Sequence, residues 1–295
     1  LHQKPFRPTP PRSRRTPQPG LRRRSIAGPA PRGNLRAGRL HPPPPRYILP
    51  PMDRMENHRH LLEQVGRRLL RRFGPRQFTL REEPLGSLFW TVLSQNTTDL
   101  TADRAYRQLR RTFRSWRDVR AARRGEVEAA IRVCGLAQQK ARTIQEFLER
   151  LERERGALSI AFLGKMPADQ AMDWLTASRG IGTKTAAVLL LFAFGRPVFP
   201  VDTHIRRVSG RLGFVPEGTA ADKVQEALSA IAPESAADCA QLHLDIIRLG
   251  REICHPRRPE CPKCPLRAIC RHARVAEALH PSGRESTIRG HRRRP

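Results

Sequence analysis

The sequence predicts an all-α protein. Three observations carry that expectation: from Met52 onward apolar residues recur at three-and-four spacing, no apolar/polar alternation persists long enough for a strand, and short Gly, Pro or polar breaks divide the periodic stretches. The first stretch places Leu61, Leu62, Val65, Leu69 and Leu70 at helical spacing with Arg67, Arg68, Arg71 and Arg72 between them, and Gly74-Pro75 closes it. The same pattern puts helices over 85–94, 99–110, 126–133, 138–151, 168–177, 184–194, 203–212, 220–231 and 236–249. Gly86, Gly135, Gly195-Arg196-Pro197 and Pro216-Glu217-Gly218 read as the breaks.

At 295 residues the chain is long enough for two domains with separate cores, and its formal charge of +29 points to a polyanionic partner, nucleic acid first. No apolar run is long enough to span a membrane. Part of the charge sits in a segment with no core of its own. Residues 1–51 hold 12 of the 56 Lys and Arg, 14 of the 27 prolines and no acidic residue, which is a composition that stays disordered. The remainder keeps 44 basic against 27 acidic side chains, so the folding part is cationic as well. Because the chain opens on Leu1 and its first methionines are Met52 and Met55, the leader reads either as a translated extension without function or as a basic DNA-tethering arm. Its proline density blocks the amphipathic helix that a transit peptide needs, and residues 281–295 form a second basic tail.

Four cysteines, Cys254, Cys261, Cys264 and Cys270, follow one another as C-x6-C-x2-C-x5-C. The segment around them also holds Pro262 and Pro265 and has too little apolar surface to fold alone, so a metal centre is expected to organise it. Four thiolates take zinc or an iron-sulfur cluster. Zinc folds commonly pair two C-x-x-C units, whereas only Cys261 and Cys264 form such a pair here, which favours the cluster. Disulfides rank third in a chain without a secretory segment. Cys134 and Cys239 stand apart and read as small buried hydrophobes.

In the middle of the chain, Gly180-Ile181-Gly182-Thr183-Lys184-Thr185 places a Gly-x-Gly turn between two helices. Glycines allow close backbone approach, and the N–H groups opening the following helix form an anion site suited to a phosphate; the bland alternative is an ordinary helix-helix turn. A buried helix and a Gly195-Arg196-Pro197 break follow, then Phe199-Pro200-Val201-Asp202-Thr203-His204-Ile205, with Asp202 placed to cap the next helix.

Taken together and in this order, Gly-Ile-Gly-Thr-Lys-Thr-Ala, Phe-Pro-Val-Asp-Thr-His-Ile and the cysteine group resemble the endonuclease III branch of the helix-hairpin-helix DNA glycosylases, over roughly residues 60–273. The resemblance implies two helical domains flanking a DNA-binding cleft. One is a six-helix barrel over 81–205 with the hairpin at about 168–194. The other is a helical iron-sulfur domain made from 52–80 and 206–280, whose four cysteines hold a [4Fe-4S] cluster. It implies a base-excision-repair glycosylase with abasic-site lyase activity, acting on oxidised pyrimidines in double-stranded DNA, as a monomer in a prokaryotic cytoplasm at the nucleoid. Lys184 becomes the nucleophile and Asp202 its carboxylate. An amine forms a Schiff base with the sugar and so allows β-elimination, while a carboxylate stabilises the cationic sugar. Apolar cover at a helix N-terminus is expected to depress the lysine pKa. Relatives with Ser or Tyr at this position cleave the base only. Gly180, Gly182, Thr183 and Thr185 become the phosphate-binding turn. Gln95 or Asn96 is expected to meet the orphaned base and Leu136 to wedge into the stack. Ser178-Arg179 replaces the family's usual Leu-Pro, which loosens a packing anchor and adds a cation. Asp99 reads as a pocket carboxylate or a helix cap, and His204 as support or core packing. Two other functions stay open, a base-only mismatch thymine/uracil glycosylase and a non-catalytic iron-sulfur DNA-binding protein.

Overall fold

Residues 51–76 and 83–279 are described in the computed structural model, and all of them belong to one compact unit. The leader up to residue 50 and the tail from 281 lie outside the described residues. Among those residues there are twelve α-helices and no strand: α1 Met52–Phe73, α2 Pro84–Leu93, α3 Asp99–Thr112, α4 Trp116–Ala121, α5 Arg124–Ile131, α6 Ala137–Arg155, α7 Ala168–Thr176, α8 Thr183–Phe194, α9 Thr203–Leu212, α10 Ala221–Ser229, α11 Ala236–Glu252 and α12 Arg271–Leu279. The fold is therefore all-α, and none of these helices is long and apolar enough to cross a membrane.

One expectation is corrected, and two helices are added to those expected. Gly86 is not a break but a buried residue inside α2, where a Cβ would collide with the Tyr106 hydroxyl and the Glu83 carboxylate. α4 was hidden from periodicity because its six residues are too few to show a period; it is specified by a capping box, in which Ser115 and Asp118 bond each other's backbone amides. α12 follows the last of the four cysteines, and Ala273 on it is buried.

The buried residues form two cores. The first gathers α2 to α8 around Leu88, Phe89, Ile144, Phe147 and Leu190, and an edge-to-face chain of rings runs through it from Phe89 to Trp116 (4.8 Å) and Phe147 (5.9 Å), then from Phe147 to Trp174 (5.7 Å). The second joins α1 to α8, α9, α10 and α11 around Leu62, Leu69, Leu191, Phe199, Ile205 and Leu249. One carboxylate pins its margin. Asp245, 1 % exposed, accepts from Arg76 Nε (3.1 Å) and Gln241 Nε2 (2.7 Å), and Gln241 also donates to Gly74 O (3.2 Å) where α1 ends.

α8 belongs to both cores. Leu189 and Leu190 pack into the first and Leu191 into the second. Its sequence, Thr-Lys-Thr-Ala-Ala-Val-Leu-Leu-Leu-Phe-Ala-Phe, is apolar on every side after the first turn, which is what a helix enclosed between two packed layers requires.

Candidate active site

The turn before α8 is built from both glycines and the residue between them. Gly180 has φ of 80° and a Cβ there would run into the Thr143 side chain, so this position is restricted twice over. Ile181, 2 % exposed, anchors the turn in the first core. Gly182 caps α8 at φ of −91°, an ordinary conformation, and nothing lies within 4 Å of where its Cβ would stand. Among the described residues, no contact demands glycine there. Thr183 and Lys184 open the helix beside that space, with the first-turn N–H groups that helix geometry leaves without intrahelical acceptors. Thr185, by contrast, is buried and takes a hydrogen bond from Gln95 Nε2 (3.2 Å), so it faces inward and not toward a phosphate.

Before the turn, Ser178 is buried and its hydroxyl meets Arg150 Nη1 (2.6 Å), which also donates to Trp174 O (2.9 Å). The Arg150 guanidinium stacks 4.3 Å above the Trp174 ring. Ser178 is thus anchored by a hydrogen bond. Arg179 is exposed.

Lys184 is exposed, so the apolar cover expected over its amine is not supplied by the chain itself. Asp202 caps α9, its Oδ1 accepting from Ile205 N (2.8 Å). A buried histidine that sequence reasoning missed feels the charge of both. His243 of α11 is buried, with Nδ1 3.0 Å from Pro200 O and its ring edge-to-face with Phe192 and Phe199. Burial pushes its pKa from 6.5 down to about 4, opposed by the charge of Asp202 and the Pro200 carbonyl and assisted by the charge of Lys184. It is a neutral imidazole within the field of both. The only signal in the sequence was its place on the apolar face of α11. His204 points elsewhere, with Nδ1 3.2 Å from Arg207 Nη2 and its side chain packed against Gly250.

The two segments expected to fill a vacated base site are also strained. Asn96 (φ 55°) and Leu136 (φ 50°) are the non-glycine residues with positive φ among the described residues, each at a typical cost of about 1–3 kcal/mol. Asn96 is exposed, and Leu136 is 53 % exposed despite being a large apolar side chain. Gln95 is engaged differently, its amide donating to Gly180 O (3.1 Å) as well as to Thr185, so of the pair it is Asn96 that projects outward. Asp99 lies in the first turn of α3, whose cap is Thr98, accepting from Thr101 N at 3.2 Å.

Cys254, Cys261, Cys264 and Cys270 line one small cavity with Arg211, Ile253 and Ala273. The Cys264 thiol is pushed up to about 11, mainly by burial, with the other three cysteines acting in the same direction. Four half-buried thiols lining one cavity fit a cationic inorganic centre, which would stabilise them as thiolates. Arg211 Nη1 donates to Cys254 Sγ (3.1 Å), and its guanidinium also binds His255 O and Pro256 O (both 2.8 Å). No three His, Cys, Asp or Glu side chains among the described residues are gathered as for a single metal ion. Cys134 and Cys239 are buried and outside this group.

Helices around a Gly-x-Gly turn, with a lysine at the mouth of the enclosed helix and an aspartate capping the next, define a helix-hairpin-helix protein. The model of the HhH-GPD superfamily base excision DNA repair proteins matches residues 89–234. Endonuclease III of Thermotoga maritima is 31 % identical over 210 residues, covering 71 % of this chain and 92 % of that one. Endonuclease III of Sulfolobus acidocaldarius is 36 % identical over 184 residues, 62 % of this chain and 79 % of that one. A putative DNA glycosylase of Arabidopsis thaliana is 39 % identical over 139 residues, and the match spans 47 % of its length, about half. Among solved structures, a trapped endonuclease III–DNA covalent intermediate is similar with a TM-score of 0.59 and 31 % identity, covering 75 % of this chain and 98 % of that one. The chain belongs to the endonuclease III family of HhH-GPD base excision DNA repair proteins.

The two glycines should respond differently to a methyl group. Gly180→Ala is expected to cost about 1–3 kcal/mol in urea unfolding, and Gly182→Ala no more than about 1 kcal/mol; equal losses would contradict the open space over Gly182.

His243 gives a pH prediction. The unfolded chain takes up its proton as pH falls through about 6.5, while the folded chain keeps the ring neutral until about 4, so folding loses stability across that interval, by on the order of 3 kcal/mol at its acid end. His243→Gln should therefore lose less stability than the unmodified chain between about pH 7 and about pH 5 in parallel urea titrations. An identical loss would show that His243 does not titrate on unfolding.

Proposed function

We propose that the protein is a base-excision DNA glycosylase with abasic-site lyase activity, in which Lys184 is the nucleophile and Asp202 the carboxylate that serves it. The observation that carries this reading is the pair of helix starts: Lys184 opens α8 beside the open face of Gly182, and Asp202 caps α9. The similarity to a trapped covalent endonuclease III–DNA intermediate supports an amine nucleophile.

Double-stranded DNA with a damaged base or an abasic site is the partner. A backbone phosphate sits over Gly182 against the opening N–H groups of α8, while the exposed cations of the chain contribute salt-dependent affinity. The damaged nucleotide leaves the stack, Leu136 fills the gap and Asn96 faces the orphaned base. Departure of the base builds positive charge on the sugar, which the Asp202 carboxylate stabilises. Lys184 attacks C1′ as the free amine and gives up a proton to Asp202, and the C1′–O4′ bond then breaks, opening the sugar and leaving an imine between Lys184 and C1′. The resulting imine acidifies the C2′ proton, and β-elimination then breaks the bond to the 3′ phosphate. Oxidised pyrimidines are the substrate class we assign. The chain acts as a monomer, in the cytoplasm of a prokaryote. Cys254, Cys261, Cys264 and Cys270 hold a [4Fe-4S] cluster, which when bound supplies the cross-link that orders this proline-containing segment.

Lys184→Gln is expected to abolish both borohydride trapping on DNA and strand nicking while lesion binding persists. Asp202→Asn should lower base excision by about 10²–10³ and retain more activity on a preformed abasic site, where no base has to leave. Trapping by the Lys184→Gln variant would assign the nucleophile elsewhere.

A further inference from the structure

We propose that Lys140 is a positioning residue that holds the two base-replacing loops, Ser94–Thr98 and Gly135–Leu136, ready for insertion into DNA. The inference rests on the proposed function of those loops and adds the element that sets them. Lys140 is 2 % exposed, on the first turn of α6. Its Nζ donates to Leu93 O (2.8 Å) and to Cys134 O (2.9 Å). Leu93 ends α2 and Cys134 ends the short 3-10 turn Arg132–Cys134, so one ammonium closes the carbonyl ends of two helical segments. The chain leaves each of these carbonyls directly into one of the two loops, and each loop contains one of the two left-handed non-glycine residues, Asn96 and Leu136.

A lysine in this place has no ordinary explanation from its own helix. The first turn of α6 is the positive end of the helix dipole, where a cation is disfavoured, and burial opposes the charge further, holding the Lys140 pKa below its usual value. A core side chain of similar length without charge would fill the same space more cheaply. What only the ammonium does is bind two carbonyls that arrive from separate segments and fix their separation. Gln95 extends the connection, because its amide joins the first loop to Gly180 of the hairpin. The phosphate-binding turn, the residue facing the orphaned base and the wedge are thereby held in one frame before DNA arrives.

The test is Lys140→Met, which keeps an unbranched stem and deletes the ammonium. Its single-turnover cleavage of an abasic site is compared in duplex DNA and in single-stranded DNA, where there is no stack to open and no orphaned base to meet. Cleavage in the duplex should fall about 10- to 100-fold, and cleavage in the single strand should stay within about threefold of the unmodified chain. Leu136→Ala should show the same split, and the double variant should be no slower than the slower single one. An equal fall on both substrates, or an unchanged duplex rate, overturns the proposal. If the unmodified chain cleaves neither substrate, the catalytic reading fails instead. The clamp is then judged by binding alone, with 2-aminopurine opposite an abasic site: the fluorescence rise on binding should shrink in Lys140→Met, and an equal rise overturns it. Should Lys140→Met not fold, Lys140→Gln takes its place. In either case, hydrogen exchange of the unmodified chain must show the Gln95, Thr97 and Gly135 amides, bonded to Val92 O, Ser94 O and Arg132 O, as protected as those of α6. Fast exchange in both loops overturns the clamp.

Discussion

The enclosure of α8 between two hydrophobic cores is the constraint from which the candidate site follows. A helix apolar on all sides has no face to give to solvent, so only its ends reach the surface. One end carries the Gly-x-Gly turn and Lys184, and the other leads through Phe199-Pro200-Val201 into Asp202. Because Leu190 lies in one core and Leu191 in the other, neither core packs fully without this helix, and the positions of the lysine and the aspartate are determined by burial of residues that do no chemistry.

Around that helix, polar groups buried in the interior act as fasteners between elements distant in sequence. His243 ties α11 to the approach before Asp202, Arg150 ties α6 to the residue before the turn, Lys140 ties α6 to both loop entrances, and Asp245 ties α11 to the end of α1. Arg150 and Lys140 satisfy carbonyls near helix ends, His243 meets the Pro200 carbonyl and Asp245 accepts from two side chains, so each of these polar groups is paired. Their common effect is to give irregular segments defined positions. Two of those segments hold residues in left-handed conformations that would otherwise relax.

The cysteine region follows a different logic. It contains two short 3-10 turns and few buried residues, and burial raises the pKa of the Cys264 and Cys270 thiols. Arg211, reaching from α9, gives hydrogen bonds to one cysteine sulfur and two backbone carbonyls, so the folded part of the chain prepares one side of the cavity. The remaining organisation is left to whatever the thiols bind.

Much of this was legible in the sequence. Helical class, most helix positions, the hairpin, the Asp202 cap and the grouping of four cysteines depend on local spacing, and local spacing is a property of the chain itself. α4 escaped because six residues do not display a period, and Gly86 was misread because a glycine selected for close packing looks like one selected for a turn. Only the tertiary structure decided that Thr185 and Gln95 bond each other while Asn96 projects, that Ser178 is anchored by Arg150, that Lys184 stands uncovered, that His243 meets Pro200, and that Lys140 joins Leu93 to Cys134. In each case the deciding contact joins residues far apart in the chain or depends on which side of a turn is enclosed. Residue type and spacing state what a side chain is able to do; which partner it meets is set by how the two cores close around α8.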